Sequence, residues 1–295
     1  MRFLKVFIST MFTFLFLGNV VFASTTVSLS GIQKDVDTWL WKTDLIVNET
    51  PQIISFLNQN GIDEVYLQIK KSIPNQHYKN FIRTCNENNI SVSALDGSAS
   101  FATPEGAYKV DAFFEWLANY QSSAEENEKF YGVHLDVEPY LTTIWKENMP
   151  MGILYYQQFV VKARGLSDTL ELPFGVDIPF WFDSRFYDNE FGVGNLAEWV
   201  IQITDSVNLM SYRDKASKIL PIVETELQYG KLYNKKVVVS VNTKKSSEGN
   251  YTTFYEEGAT KMNEELLALQ DMLEFKEYDF SFAIHSYSHF LALKD

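Results

Sequence analysis

The sequence predicts an α/β fold, a single-domain (β/α)8 TIM barrel. Short β-branched and aromatic runs alternate with longer runs whose apolar residues recur at helical spacing. Eight such strand candidates follow one another at about 30 to 40 residues per unit, the rhythm of βαβ units and a parallel sheet. The 295 residues, less an N-terminal leader, match the roughly 250 residues typical of such barrels. A doubly wound open sheet is the alternative. No G-x-G-x-x-G follows the first strand, so a dinucleotide-binding fold has no positive support.

The chain opens with MRFLKVFISTMFTFLFLGNVVFA. Arg2 and Lys5 form a short basic region, and an apolar stretch follows to Phe22. Val21 and Ala23 are small residues at the spacing a signal peptidase needs. Residues 1–23 are therefore expected to be a secretory signal peptide, leaving 24–295 as the barrel. The expected location is secreted and extracellular, with no membrane association after cleavage; an uncleaved anchor is the alternative.

The strand candidates are Val36–Trp41, Glu64–Ile69, Ile90–Leu95, Gly132–Val137, Leu172–Ile178, Ser206–Ser211, Lys236–Val241 and Ser281–His285. Helical patterns lie between them at Gln52–Asn60, Tyr108–Tyr120, Ile153–Ala163 and Glu256–Phe275. Trp116 and Trp199 fall in amphipathic runs and read as core. The last helix, from Ser288, is cut short. Neither a Pro/Gly/Ser-rich linker nor an internal repeat divides the chain.

Hydrophobic residues make up 46 % and aromatics 15 %, a globular composition. The net charge of -13 argues against nucleic acid, whose phosphates need a basic surface. A single cysteine, Cys85, excludes an internal disulfide framework and a Cys-based zinc site. It reads as a buried small hydrophobe. No cofactor and no metal are expected, and the chain is expected to be a monomer.

Barrel chemistry collects at the C-terminal ends of the strands. The fourth strand is the most informative. Side chains alternate across a strand, so His134, Asp136 and Glu138 share one face while Leu135 and Val137 face the helices. Neighbouring carboxylates resist double ionisation, so one of the two is expected to hold a proton. That arrangement can make Glu138 a general acid beside Asp136. A solvated strand end paired with Arg213 or a lysine is the bland alternative.

Trp39, Trp41 and Trp181 sit at strand ends, where a sugar face could stack on them; core packing is the alternative for each. Trp145, in the loop after strand four, could line a cleft. Asp177, Asn242 and His285 end the fifth, seventh and eighth strands as candidate substrate contacts. A polar barrel layer satisfying its own members is the alternative reading. His285 could instead bond Tyr212 or Asp177. Asp96 precedes Gly97 and equally suits a turn. Residues Thr243–Gly249 read as a loop over the barrel mouth.

The run Gly132-Val133-His134-Leu135-Asp136-Val137-Glu138 resembles the fourth-strand acidic signature of family 18 glycoside hydrolases, the chitinase-like enzymes. Met210-Ser211-Tyr212 resembles that family's sixth-strand M-x-Y motif, and both strand numbers agree with the independent strand count. The chain departs from the pattern elsewhere. The signature's first Asp falls on Tyr131 and its second on His134. The Asp that follows the sixth-strand Tyr is Arg213 here, with Asp214 one place later, and His285 stands where the family usually has Trp. The chain also resembles uncharacterised secreted bacterial barrel proteins with a D-V-E-P-Y run.

The resemblance implies a divergent glycosidase acting on an N-acetylated glycan. Glu138 would protonate the glycosidic oxygen. Asp136 would orient the 2-acetamido group that attacks the anomeric carbon, and Tyr212 would hydrogen-bond that group. The resemblance carries roles to those three residues only; from their positions at strand ends, His134, Trp39, Trp41, Asp177, Trp181, Asn242 and His285 are the candidate substrate-binding residues. Two other functions stay open: a glycan-binding barrel without catalysis, and a metal-dependent hydrolase or deacetylase using His134, Asp136, Asp177 and His285.

Overall fold

The structure is a computed structural model that describes residues 29–294. The expected leader, residues 1–23, lies outside the described residues. Among the described residues no helix is long and apolar enough to cross a membrane.

Eight parallel strands close into a barrel in the order β1-β10-β9-β8-β5-β4-β3-β2. They are β1 (Val36–Leu40), β2 (Glu64–Gln68), β3 (Ser91–Asp96), β4 (Gly132–Leu135), β5 (Phe174–Pro179), β8 (Ser206–Met210), β9 (Lys236–Asn242) and β10 (Ser281–His285). All eight expected strands are present, with ends shifted by a residue or two. The open-sheet alternative is excluded by the β1–β10 pairing, Val36 against Phe282, which closes the ring.

Strand alternation divides the interior into two regions. Val65, Leu67, Val133, Leu135, Val207, Leu209, Val237 and Val239 face outward into one large core shared with the helices. Trp39, Tyr66, Leu95, Val238 and Ala283 form a smaller cluster inside the barrel, with Trp41 packed against it. The inner positions also carry buried polar groups, among them Asp37, Ser93, His134, Asp177, Asn208 and Ser240. Small residues make room for the large ones. A Cβ built on Gly175 would lie 2.5 Å from Ser206 Oγ and 3.1 Å from His134 Nδ1.

Between β5 and β8 the chain adds an antiparallel hairpin that the sequence patterns do not announce, β6 (Phe186–Asn189) with β7 (Gly192–Asn195). The helix Ala216–Tyr233 was not among the expected helices either, and it carries Pro221 inside it. The final helix is short, Tyr287–Leu291, as its truncated pattern implies.

That unexpected helix holds Glu226, a carboxyl with no solvent exposure. Neither of its oxygens has a partner beyond its own backbone N–H. Burial, with Asp183 nearby, pushes it from 4.5 up to about 8. Between those values the folded protein holds a proton that the unfolded chain releases. This contribution to stability is therefore fully present below 4.5 and is lost as pH rises through about 8. Glu226→Gln keeps the shape and cannot ionise. Thermal unfolding is expected to show a higher Tm for the variant at alkaline pH and little change near pH ~4. An equal shift at both pH values would contradict this.

Candidate active site

The site is built on the end of β4. Beyond Leu135 the backbone stays beside β3, with Asp136 N donating to Asp96 O at 3.0 Å. Alternation continues, so Val137 is buried in the outer core while Asp136 and Glu138 face the barrel mouth. A short turn, Pro139–Leu141, follows at once. It folds Tyr140 back so that its hydroxyl donates to Glu138 Oε1.

The upward push expected in this carboxylate pair falls on Asp136. Burial drives its carboxyl well above the usual range, and the charges of Asp177 and Glu138 add to it. Asp136 Oδ1 is buried without a hydrogen-bond partner. Burial and neighbouring carboxylates therefore both favour the protonated form of Asp136.

Beneath Asp136 lies a buried support. His134 stacks on Tyr66 with ring centroids 3.9 Å apart. His134 Nε2 sits 3.1 Å from Asp177 Oδ1, although the pair lacks hydrogen-bond alignment. Trp39 Nε1 donates to Asp177 Oδ2 at 3.1 Å. Trp39 is only 1 % exposed, His134 1 % and Asp177 3 %. These three were expected to touch substrate. Their depth instead places them in a buried layer, in contact with one another and with Tyr66, and Asp177 acts on Asp136 electrostatically. Trp39 in particular has no free face for a sugar ring.

Nearer the mouth, Tyr212 follows β8. Burial raises its hydroxyl well above the ordinary value, and Asp177, Asp136 and Glu138 reinforce that. His285 ends β10, and its ring centroid lies 6.0 Å from that of Tyr212. It bonds neither Tyr212 nor Asp177. Trp41 Nε1 donates to His285 Nε2 at 3.1 Å, and burial pushes the imidazole down to about 4. His285 is thus a neutral acceptor fixed by Trp41. Its Nδ1 is left without a partner.

Trp181 is half-buried after β5. Its ring meets Tyr140 edge-on at 5.1 Å, and the Arg185 guanidinium lies 4.9 Å from its centroid. Trp145 is not a cleft residue, because it is 7 % exposed and stacks on Phe182. Asn242 is engaged structurally, its Oδ1 accepting from Lys244 N at 2.9 Å. Asp96 takes the turn role, accepting from Gly97 N at 2.8 Å. The Thr243–Gly249 loop is tied at its base, where Thr243 N donates to His285 O at 2.9 Å.

Sequence reasoning assigned no role to Tyr140, Gly97 or Tyr156. The D-V-E-P-Y run holds the signal for Tyr140: a proline right after Glu138 starts a tight turn. Gly97 is needed because a Cβ there would lie 1.8 Å from Asp136 O. Tyr156 carries a buried, unpartnered hydroxyl within electrostatic reach of Asp177 and Asp136. Its helical spacing made it look like ordinary core.

Among the described residues, no group of three or more His, Cys, Asp or Glu side chains is placed to hold a metal ion. Of the His285 nitrogens, Nε2 is taken by Trp41 Nε1 and only Nδ1 is without a partner.

No protein-family model matches the chain, and no curated protein matches it in sequence. Solved structures do resemble it. A chitinase from Bacteroides thetaiotaomicron aligns with TM-score 0.53 at 11 % identity, covering 87 % of this chain and 90 % of that one. A plant class V chitinase mutant from Cycas revoluta, in complex with (GlcNAc)3, aligns with TM-score 0.51 at 12 % identity over 86 % and 95 %. A GH18 chitinase from Pseudoalteromonas aurantia aligns with TM-score 0.50 at 14 % identity over 85 % and 93 %. The chain spans 64 % of the length of Ostrinia furnacalis Group II chitinase catalytic domain 2.

These likenesses show the fold, a closed (β/α)8 barrel similar to those of the three chitinases. The family 18 resemblance read from the fourth and sixth strands holds at the level of the fold.

Proposed function

We propose that the protein is a secreted glycoside hydrolase that cleaves an N-acetylated glycan by acid catalysis. The observation that carries this reading is the pair Asp136 and Glu138, on successive inward positions at the mouth of β4. Burial and neighbouring charge favour a proton on Asp136, while Tyr140 grips Glu138. The fold likeness to chitinases supports it.

Glu138 is the acid. Tyr140 donates to Oε1, which leaves Oε2 to carry the proton. The glycosidic C–O bond breaks, its electron pair goes to the oxygen, and that oxygen takes the Glu138 proton. The substrate's acetamido carbonyl oxygen forms the new bond to the anomeric carbon, the substrate-assisted variant of glycoside cleavage. Asp136 orients the acetamido group, and Tyr212 donates its O–H to the same carbonyl oxygen. Water then attacks the anomeric carbon, the bond to the acetamido oxygen breaks and restores the acetamide, and the attacking water gives a proton to the Glu138 carboxylate. Asp177, bonded to Trp39 and beside His134, favours the proton on Asp136, and Trp41 with Trp181 offers partly open aromatic surface to the sugar.

Reducing-end release from chitin oligosaccharides and peptidoglycan, with and without a chelator, tests this reading. Cleavage is expected to persist with the chelator. Loss of activity on chelation, restored by metal, would move the assignment to a metal-dependent hydrolase. Tyr140→Phe is expected to lower kcat by about 10- to 100-fold, the size of a lost hydrogen bond to a carboxyl that becomes charged as it gives up its proton. An unchanged kcat would remove Tyr140 from the machinery. Secretion is tested by the N-terminus of the exported protein, expected at Ser24; an intact Met1 on that protein would contradict cleavage.

A further inference from the structure

Arg213 directly follows Tyr212 at the end of β8. Its guanidinium lies 5.0 Å from the Phe180 ring and 5.5 Å from the Tyr251 ring. It is thus held between the segments that follow β5 and β9. Its Nη1 donates to Tyr212 O at 2.7 Å. An arginine has five N–H donors. Among the described residues, no other acceptor bonds this one and no ion pair includes it. Arg83 and Arg164, by contrast, are paired to Glu128, and to Asp168 and Asp205.

The chain has 38 acidic residues against 25 basic ones. Surplus carboxylates leave few reasons for a half-buried arginine at the mouth to lack one. Two rings and a carbonyl fix the planar fork, so little side-chain freedom remains to be lost on binding. Lys244 adds positive charge on the same side, within electrostatic reach of His285 and outside every ion pair among the described residues. Glu248 of that loop carries the opposite sign and acts on Tyr212, but it is exposed and screened by solvent. The family 18 motif that this segment resembles has an Asp where Arg213 stands. An Asp there would repel an anionic sugar, and Arg213 reverses that sign.

Resting on the glycosidase reading, we infer that Arg213 binds a carboxylate on the glycan, making the substrate an acidic N-acetylated glycan rather than neutral chitin. The fork suits a carboxylate through two parallel N–H bonds. Two kinds of glycan supply that chemistry beside an acetamido sugar. Peptidoglycan strands carry a lactyl carboxylate, and glycosaminoglycans such as hyaluronan carry a uronic acid.

The test is calorimetric binding to fragments of equal length from peptidoglycan strands, hyaluronan and chitin. The proteins are Glu138→Gln, to prevent turnover, and the same variant with Arg213→Gln or Arg213→Lys added. One acidic fragment is expected to bind about 10- to 100-fold more tightly than the chitin fragment, and its identity names the source. Arg213→Gln should reduce that preference to within a few-fold, Arg213→Lys should recover part of it, and added salt should weaken it. Equal or tighter binding of chitin, a preference that survives Arg213→Gln, or no binding in any arm would overturn the inference. The glycosidase reading fails separately. An Arg213-dependent acidic preference in a parent protein that releases no product keeps the role of Arg213 and removes that of Glu138.

Discussion

Replacing Glu138 with Gln is expected to lower turnover by about 10²–10⁴-fold, the usual worth of a positioned general acid. The amide is nearly the same size and its oxygen can still accept from Tyr140, so the turn Pro139–Leu141 has no reason to move. What disappears is the acidic proton. Stability is expected to change by less than about 1 kcal/mol, because Glu138 is half-buried at the barrel mouth and fills no core space. Glycan binding should survive. Kinetics on any cleaved glycan, beside a melting curve and a binding titration, separates these effects. A variant as fast as the parent would show that another group supplies the proton.

Gly97→Ala is expected to damage the site without touching a single catalytic atom. A Cβ at position 97 would lie 1.8 Å from Asp136 O, 2.5 Å from its carbonyl carbon and 2.9 Å from its N. All three are backbone atoms, so no side chain can swing aside. The ends of β3 and β4 must separate, carrying Asp136 and Glu138 with them. A displacement of about 1 Å costs roughly 10²-fold in rate, and the overpacking costs about 1–3 kcal/mol of stability. Gly165→Ala is the control. It sits in the helix Met149–Thr169 with nothing within 4 Å of an added Cβ. It should gain about 0.4–1 kcal/mol and leave kinetics alone. If Gly97→Ala matches Gly165→Ala in both activity and Tm, the close approach of β3 to Asp136 does not set the site.

The barrel was legible because each strand carries its own local signal. Runs such as Lys236–Asn242 are apolar and β-branched, and their alternation already separates Val237 and Val239 from Val238. The inward face of Asp136 and Glu138 followed from the same period of two. The helix Ala216–Tyr233 was hidden by Pro221, which interrupts the pattern a helix is recognised by. The hairpin Phe186–Asn195 was hidden by its exposure. Phe186 and Val193 are 72 % and 79 % exposed, so no buried face imposes alternation.

Depth was the other missing quantity. Trp39 and Trp41 share a strand face, yet two residues of rise put the first inside the barrel and leave the second near its rim. Sequence periodicity gives the face and not the layer. The contacts that settle roles, Trp39 with Asp177 and Trp41 with His285, join residues 138 and 244 positions apart. The seating of Tyr140 on Glu138 spans two residues and depends on a turn, which strand alternation does not describe.

The central claim is that Glu138 protonates the leaving oxygen while the substrate's own acetamido group attacks. The anomeric form of the first product, followed by NMR during cleavage of an N-acetylated β-linked oligosaccharide, tests it most directly. Two displacements at the same carbon give net retention, so the β-anomer should appear first. The de-N-acetylated oligosaccharide should resist cleavage. Initial release of the α-anomer, or equally fast cleavage of the deacetylated substrate, would contradict the mechanism.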